Sequence, residues 1–528
     1  MGSADQVKVE VFVRKSSGLV RPLGGGTTFL AEFMIVTGGA PIFLISLLFL
    51  APGANWNLTY ILMFIPSLAL ATVYTLFGIA MPRAGGDYVF VSRGLNPALG
   101  FINSFALFFA FVFSSGIYGY FGVTYLSYAF TTWGFIYNNS FLLSLGSALL
   151  TPTYLIITGI IILTTIVSIV LFTSSKKAFQ VIFWLGIVTM AATIIYFTIN
   201  ATISPAAFTK AFNSYAGAGA YQQVINSAKA NGLKFSSGLP TIMLALPISW
   251  YAYSWFTLPV TLSGEMKEVR KTLPIGLLGG LLFILAYYLI FFNISFYSFG
   301  QTFLTAWSFN YAHGISLPFA YIGTYTPFFV SLVYKNPIIP LLALLALWIP
   351  DVNGVTTYSS ATRYLFAWSF DRMAPDVFNR VNPRTKVPVI SALATALIGF
   401  AGLVGYAFVP AFTLIDALPL LMFGYILPVI TAIIFPFLKK EMYNNSFVIK
   451  RKILKIPILS WVGIIALVGI IYGLIGLWNS YLMPINLVTI MLIVLVYVAA
   501  GLIFLAMYLI NRRKGINPLY AYKEVPPE

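Results

Sequence analysis

Four ionisable side chains lie inside long apolar stretches of the sequence: Glu32, Asp351, Arg363 and Asp416. A charge in hydrocarbon is costly, so residues of this kind are candidates for functional sites by default. Glu32 could pair with Arg363 or bind and release a proton. Asp351 and Asp416 could attract a cation to the mouth of a site, or they could serve only as hydrogen-bonded carboxylates there. Both alternatives stay open from the sequence.

A second group of polar residues lies close behind Asp351. Thr356, Thr357, Ser359 and Ser360 place four hydroxyls on two helical turns. Such oxygens can bind Na⁺, but hydrogen bonds between neighbouring helices are their more common use in membranes. The chain has no Cys and one His, which excludes thiolate nucleophiles and His-rich metal sites. We expect no metal site and no cofactor.

Two apolar segments contain helix-breaking residues near their middle. The first has Thr37, Gly38, Gly39 and Ala40 followed by Pro41, and the second has an aromatic stretch between Pro247 and Pro259. Glycine is conformationally loose and proline lacks an N–H group, so both segments should unwind. Non-helical backbone inside a membrane is tolerated where it is buried in protein or lines a cavity. The alternative is a pair of packing kinks, which are common between membrane helices.

Unwound segments leave backbone groups without partners. A half-helix N-terminus presents N–H groups to an anion, and a half-helix C-terminus presents carbonyls to a cation. A zwitterionic amino acid carries one group of each kind. The predicted substrate-binding residues are therefore those of the two breaks: Thr37, Gly38, Gly39, Ala40, Tyr251, Ala252, Tyr253, Ser254 and Trp255. Tyr253 and Trp255 could cover the apolar part of a ligand or stack on a cationic head.

The composition indicates which elements must position these residues. Of the 528 residues, 59% are hydrophobic and 8% are charged, and the mean hydropathy is +0.91. An ordinary soluble domain carries about 25% charged residues, so the chain is neither a soluble globular protein nor a disordered one. It is predicted to be an all-α polytopic membrane protein.

Stretches of about 20 apolar residues, the length that crosses a bilayer, occur twelve times. The predicted spans 1 to 12 are residues 27–50, 57–80, 97–130, 153–173, 178–200, 241–262, 274–299, 337–370, 388–409, 411–437, 457–479 and 485–510. With the N-terminus inside, 25 of the 30 Lys and Arg residues fall on the inner side and four on the outer side. This asymmetry predicts a multi-pass protein of the cell membrane with both termini in the cytoplasm. The basic excess thus indicates anionic lipid head groups as partners, and not a nucleic acid.

The chain divides accordingly into five predicted parts. Residues 27–437 form a transport core of ten helices, and spans 1 and 6 within it run in opposite directions. Two interrupted spans, five apart and opposed, are typical of the inverted repeats of secondary transporters. The other parts are a cytoplasmic N-terminal segment (1–26), a basic cytoplasmic loop (438–456), helices 11 and 12 (457–510) and a cytoplasmic tail (511–528).

Three loop patches resemble the amino acid–polyamine–organocation (APC) superfamily. They are MPRAGGDYVFVSRGLNPALGF (81–101), LSGEMKEVRKTLPIGLLGG (262–280) and NGVTTYSSATRYLFAWSFDRMAPDVFNRVNPRTKVPV (353–389). All three occur in the family's order on the predicted cytoplasmic side. The resemblance covers most of residues 20–440. It implies a leucine-transporter-type fold of five plus five helices in inverted repeats with two further C-terminal helices.

The resemblance also implies alternating access, with an amino acid carboxylate bound at the break of helix 1 and its amine at the break of helix 6. Two residues depart from the family pattern. Pro41 stands where the family has the second Gly of its helix 1 motif, so one N–H donor is missing or shifted. Trp255 stands where a Gly is usual, so its indole should narrow the site or act as a gate.

These observations predict a secondary transporter, and not an enzyme, for amino acids or related organic cations such as polyamines. It would be coupled to H⁺ or Na⁺, or it would work by exchange. The coupling candidates are Glu32, Asp351, Asp416, Thr356, Thr357 and Ser360. A substrate-sensing receptor or a channel on the same scaffold is the alternative. No HExxH, GxSxG or Walker-type motif supports a membrane-embedded enzyme.

Overall fold

The computed structural model describes residues 19–319, 322–351, 353–408, 417–446, 450–478 and 487–522. Within them the chain is helical, apart from one short hairpin, an isolated bridge and the connecting segments. The hairpin pairs Lys452–Ile453 with Ile456–Pro457 in the predicted basic loop. The prediction of an all-α polytopic membrane protein is confirmed.

Ten helical segments of the described chain are long and apolar enough to cross a membrane. They are Gly25–Ser46, Trp56–Ala80, Pro97–Tyr137, Pro152–Phe172, Ser175–Ala201, Val269–Phe299, Val389–Phe408, Leu418–Leu438, Ile458–Trp478 and Ile490–Arg513. They coincide with predicted spans 1 to 5, 7 and 9 to 12. The third is longer than its prediction, because its helix continues after a joint at Ser115 to Tyr137. Spans 6 and 8 are missing from this set because each is divided into α-helical pieces of fewer than 18 residues.

Span 6 loses its α-helical hydrogen bonding halfway along. The α-helix Leu239–Trp250 gives way to 3₁₀ turns at Tyr251–Tyr253 and Leu258–Glu265. Pro259 lies in the first turn of the last of these segments, where a missing N–H breaks no bond. The regular helix contains Pro247 and ends at Trp250, so the interruption lies between the two prolines, where the sequence predicts it.

Span 8 is interrupted at a place that the sequence analysis treats as continuous. The helix Ile338–Ala343 widens to a π-helical segment, Leu344–Trp348, and a last helical turn ends at Asp351. A new helix, Gly354–Phe370, follows. The prediction of one continuous span over 337–370 is wrong in this respect. Pro350 cannot supply an N–H to the preceding turn, so its presence favours the interruption.

The predicted outer loops contain helices of their own. The connections after spans 5 and 7 hold Pro205–Ala216, Ala220–Ala230, Gln301–Ala312 and Thr326–Tyr334. Other short helices are Asp87–Gly94, Ser140–Leu149 and Lys440–Asn445. The aromatic residues of these connections pack together: the rings of Tyr221 and Phe303 lie 4.6 Å apart. Long connections thus form an ordered layer over one end of the bundle.

Apolar and polar side chains are distributed as a membrane requires. Large apolar side chains of the spans face outward, with Phe172 80% and Leu397 71% exposed, whereas Arg363 is 1% exposed. In water this arrangement would be costly, because exposed apolar area carries a free-energy penalty. In hydrocarbon it is the favourable one.

Two buried ion pairs lie at one end of the bundle, which we call the charged end. The guanidinium of Arg363 makes two hydrogen bonds to the carboxylate of Glu265, at 2.6 and 2.9 Å. Arg93 Nη2 lies 2.7 Å from Oδ2 of Asp371. All four side chains are at most 2% exposed. The pairs link span 6 and the connection between spans 2 and 3 to the second half of span 8.

The last described residue packs against this end. The hydroxyl of Tyr522 lies 2.9 Å from that of Tyr88, which donates to Asp371 at 2.8 Å. The Tyr522 ring covers the guanidinium of Arg93 at 4.8 Å. Tyr522 is 6% exposed, so the segment after span 12 is packed into the charged end.

Candidate functional site

The backbone of span 1 turns at the two glycines. Gly38 has an extended conformation (φ −61°, ψ 133°), and Gly39 is left-handed (φ 46°, ψ −27°). The left-handed region is disfavoured for residues with a Cβ, so glycine is needed at Gly39. Pro41 then lies in the first turn of the helix Ala40–Ser46, where its fixed φ suits the helix start.

The carbonyl of Gly39 has partners from inside the protein. It accepts a hydrogen bond from the hydroxyl of Tyr125 at 2.9 Å and bonds from the amides of Ile42 and Phe43 in the new helix. Its N–H faces the carbonyl of Leu347 in the π-helical segment of span 8, at 3.4 Å. The two interrupted spans 1 and 8 therefore touch at their irregular segments.

A small cavity of about 40 Å³ lies where the breaks of spans 1 and 6 meet span 3. One water molecule needs about 10–15 Å³ of such space, so the cavity has room for only a few water molecules in this conformation. Five of the predicted binding residues line it: Gly38, Gly39, Ala40, Tyr251 and Trp255. The other lining residues are Ile35, Val36, Phe43, Ser114, Ile117, Tyr118 and Phe121.

Aromatic rings narrow the cavity. The ring of Phe43 lies 4.8 Å from that of Tyr251 and 6.4 Å from that of Phe121, measured between centroids. Trp255 packs against Phe111 of span 3 at 5.9 Å. A ligand larger than a few water molecules needs these rings to move apart. Since Trp255 is only partly buried, it is placed where a movable side chain could widen the site.

Four other predicted binding residues point elsewhere. Thr37 donates to the carbonyl of Phe33 at 2.6 Å, and Ser254 donates to that of Trp250 at 2.9 Å. Tyr253 donates to the carbonyl of Tyr60 at 3.2 Å. These three and Ala252 are fully buried, and none lines the cavity. A ligand role for the four stays a prediction, and it would need a change of conformation.

Glu32 is buried in the first half of span 1. Its side chain is 0% exposed, and neither carboxylate oxygen has a hydrogen-bond partner within the described residues. The side chain lies against span 7, since a Cβ added to Gly280 would be 2.7 Å from Cγ of Glu32. The suggested pairing with Arg363 is wrong, because Nε and Nη2 of that arginine donate to the carboxylate of Glu265 and its Nη1 donates to Thr362. The sequence did not show this pairing, since the partners lie in different spans.

The structure leaves the other two acidic candidates open. Asp351 ends the short helix Ile349–Asp351 at the interruption of span 8. Asp416 lies outside the described residues. Their roles stay predictions.

The hydroxyl cluster of span 8 is buried and only partly bonded. Thr357 lies 2.7 Å from the hydroxyl of Tyr118, which lines the cavity. The hydroxyls of Thr356 and Ser360 have no hydrogen-bond partner among the described residues, although both side chains are at most 1% exposed. The cluster therefore contains oxygen atoms that could take a further partner, and a role in coupling stays a prediction.

Sequence reasoning missed the cavity residues outside the two breaks. Ser114, Ile117, Tyr118 and Phe121 belong to span 3, which the family resemblance names only as a helix near the substrate. Their spacing of three or four residues places them on one helix face. Long aromatic helices show this spacing by chance, so nothing in the sequence singled them out.

A family model described as "Amino acid permease" matches residues 25–503. No curated protein matches the chain. The matched region contains the interrupted spans 1, 6 and 8, the cavity and the two buried ion pairs of the charged end. Because the match covers most of the 528 residues, the chain belongs to the amino acid permease family of the APC superfamily.

Proposed function

We propose that this membrane transporter is a secondary active permease that moves amino acids or related organic cations across the cell membrane by alternating access. The observation that carries the proposal is the cavity between the breaks of spans 1 and 6. There glycine backbone and aromatic side chains meet inside an otherwise apolar bundle. The cavity is narrow, with Trp255 and Phe43 in its wall, and it would widen when these side chains move.

The proposed architecture has twelve spans, formed by the ten regular segments and the interrupted spans 6 and 8. The first ten form two inverted repeats of five, and the last two follow them. Both termini and the charged end face the cytoplasm, in keeping with the Lys and Arg distribution. The outer end is the one covered by the helices after spans 5 and 7.

Proton coupling or exchange is the proposed energy source. Glu32 supports proton coupling, because its fully buried carboxyl has no cationic partner in the part of the chain that the structure describes and is costly in its charged form. Na⁺ coupling would use the free hydroxyls of Thr356 and Ser360. The substrate is an amino acid or a polyamine, and the protein carries no catalytic role in this account.

Uptake into proteoliposomes tests the function. The purified protein, reconstituted with an acidic exterior, would be given separate pools of radiolabelled neutral, aromatic, cationic and acidic amino acids and a polyamine. We expect one pool to accumulate above its outside concentration and a protonophore to prevent this. Under exchange, accumulation would instead require preloaded vesicles.

Two outcomes would contradict the proposal. Saturable binding without any accumulation would indicate a sensor, and unsaturable downhill flux would indicate a channel. Empty liposomes measure the leak. A second control is the Gly38→Val variant, because it fills the cavity without changing the charge of the protein.

A further inference from the structure

A buried carboxyl at the charged end lies outside the spans and outside the predicted site. Asp87 begins the helix Asp87–Gly94 in the connection between spans 2 and 3. Its side chain is 2% exposed. The sequence analysis considered only the acidic residues inside apolar segments, so Asp87 was counted as part of a loop.

Three parts of the chain meet at this residue. The amide of Gly85 donates to the carbonyl of Thr261 in span 6, at 3.1 Å. The hydroxyl of Tyr364 in span 8 donates to Oδ1 of Asp87. The same helix is fixed to span 8 again by the bond from Tyr88 to Asp371. Asp87 is therefore sealed between the connection, span 6 and span 8.

Among the described residues, the carboxyl has one hydrogen-bond donor from a side chain, Tyr364, and no paired cation. Oδ2 of Asp87 has no hydrogen-bond partner within the described chain. Arg93 and Arg363 are each bound to another carboxylate, Asp371 and Glu265. Charged and titratable groups lie on most of the elements around Asp87. They are Arg83 in the same connection, Tyr88 and Arg93 on the same helix, Tyr74 on span 2, Glu265 at the end of span 6, Arg363, Tyr364 and Asp371 on span 8, Tyr425 on span 10 and Tyr522 of the tail. The helix Pro97–Ser114 contributes none.

The physical consequence is a carboxyl that favours its neutral form while it is buried. Burial raises the pKa of Asp87 to about 7, and the hydrogen bond from Tyr364 opposes this only in part. Exposure to water would remove the burial effect and return the carboxyl toward its ordinary, much lower pKa. Any motion that opens the seal around Asp87 would thus release a proton near neutral pH.

We propose that Asp87 is a proton-binding site of this transporter, loaded while the connection is closed on span 8 and emptied when the charged end opens. The proposal rests on the proposed function, because only a protein with an opening cycle at this end would use such a site. The ligand is the proton itself. The site differs from the substrate cavity, whose lining does not include Asp87.

The first test compares the pH dependence of transport in wild type and Asp87→Asn. Asparagine keeps the size of the side chain and an oxygen that can accept from Tyr364, but it cannot titrate. We expect initial uptake rates of the wild type at about pH 5.5 and about pH 8.5 to differ severalfold, since these values lie on either side of the transition. In the variant the two rates should differ clearly less than in the wild type, and the remaining difference would come from other titrating groups such as Glu32. Asp376→Asn is the matched control, because Asp376 is an exposed carboxyl in a neighbouring loop.

A second variant covers the case that Asp87→Asn is poorly folded. Tyr364→Phe keeps the ring and removes only the donor that favours the charged carboxylate. The midpoint of the pH profile should therefore move to higher pH. A merely structural role of Tyr364 would lower the rate without moving the midpoint.

The second test needs no transport and so separates this proposal from the proposed function. A carboxyl whose pKa is raised on folding stabilises the protein at low pH, and this stabilisation is lost as the pH rises through the folded-state value. The folding equilibrium of the wild type should weaken by about tenfold per pH unit between about pH 5 and about pH 7. The melting temperature of purified wild type should accordingly fall over this range more than that of Asp87→Asn.

The proposal would be overturned if the melting temperatures of wild type and Asp87→Asn changed by the same amount with pH across this range. An unchanged pH profile of uptake in Asp87→Asn would do the same. If the wild type transports no solute but its melting temperature depends on pH more strongly than that of Asp87→Asn, the proton site stands and the proposed function fails.

Discussion

Replacing Gly38 by valine is expected to weaken substrate binding roughly ten- to hundredfold while the protein stays folded. Gly38 lines the cavity between the interrupted spans, so a side chain there would occupy the space of the ligand. Overfilling a packed site costs about 1–3 kcal/mol, and each 1.4 kcal/mol is about tenfold in affinity. Binding of the amino acid selected by the uptake assay should be measured by calorimetry on monodisperse protein.

The conformation of the backbone decides which glycine is the better test. Gly38 has φ −61° and ψ 133°, which valine adopts readily. Gly39 has φ 46°, so valine there would also strain the backbone. A loss of binding could then not be distinguished from a loss of folding. Gly26→Val is the matched control: it lies in the first turn of the same span, where an added Cβ meets only Phe183 at 3.7 Å. Unchanged affinity in Gly38→Val would show that the break is a packing kink.

Removing either partner of the buried pair between Arg363 and Glu265 is expected to destabilise the protein by about 3–5 kcal/mol. Both side chains are 1% exposed, so the remaining charge would be left buried without a counter-charge. Arg363→Met and Glu265→Met should each lower the melting temperature and the yield of monodisperse protein. The double variant should recover much of the loss, because no unpaired charge remains.

The exposed pair of Glu268 and Lys271 provides the control. Their side chains are 67% and 77% exposed, and water screens their attraction, so Lys271→Met should leave the melting temperature unchanged. If Arg363→Met were as harmless as Lys271→Met, the buried pair would not hold the charged end together.

The helices could be predicted because membranes impose a simple rule on composition. Apolar stretches of about 20 residues identified the spans, and the glycines and prolines marked the breaks of spans 1 and 6. Those breaks brought Gly38, Gly39 and Ala40 to one cavity with Tyr251 and Trp255. Local sequence determines where a helix unwinds, so such features can be read without a structure.

Tertiary partners could not be predicted in the same way. Arg363 could have been paired with any buried carboxylate, and its partner Glu265 lies 98 positions away in another span. Asp87 looked like part of a polar loop, because its burial depends on span 8 folding over it. The direction of Tyr253 is likewise determined by its packing against Tyr60. Each of these features depends on which helices touch, and hydropathy does not contain that information.

The central claim is that the transported solute lies in the cavity between the breaks of spans 1 and 6. The native chain has no Cys, so single cysteines can report on this directly. Ile117 lines the cavity and is partly exposed. Ser214 is exposed and lines a separate cavity of about 690 Å³. The measurement is the rate at which a methanethiosulfonate reagent labels Ile117→Cys and Ser214→Cys, with and without the solute accumulated in the uptake assay. We predict that the solute slows labelling of Ile117→Cys severalfold and leaves Ser214→Cys unchanged; equal labelling rates of Ile117→Cys with and without saturating solute would contradict the account.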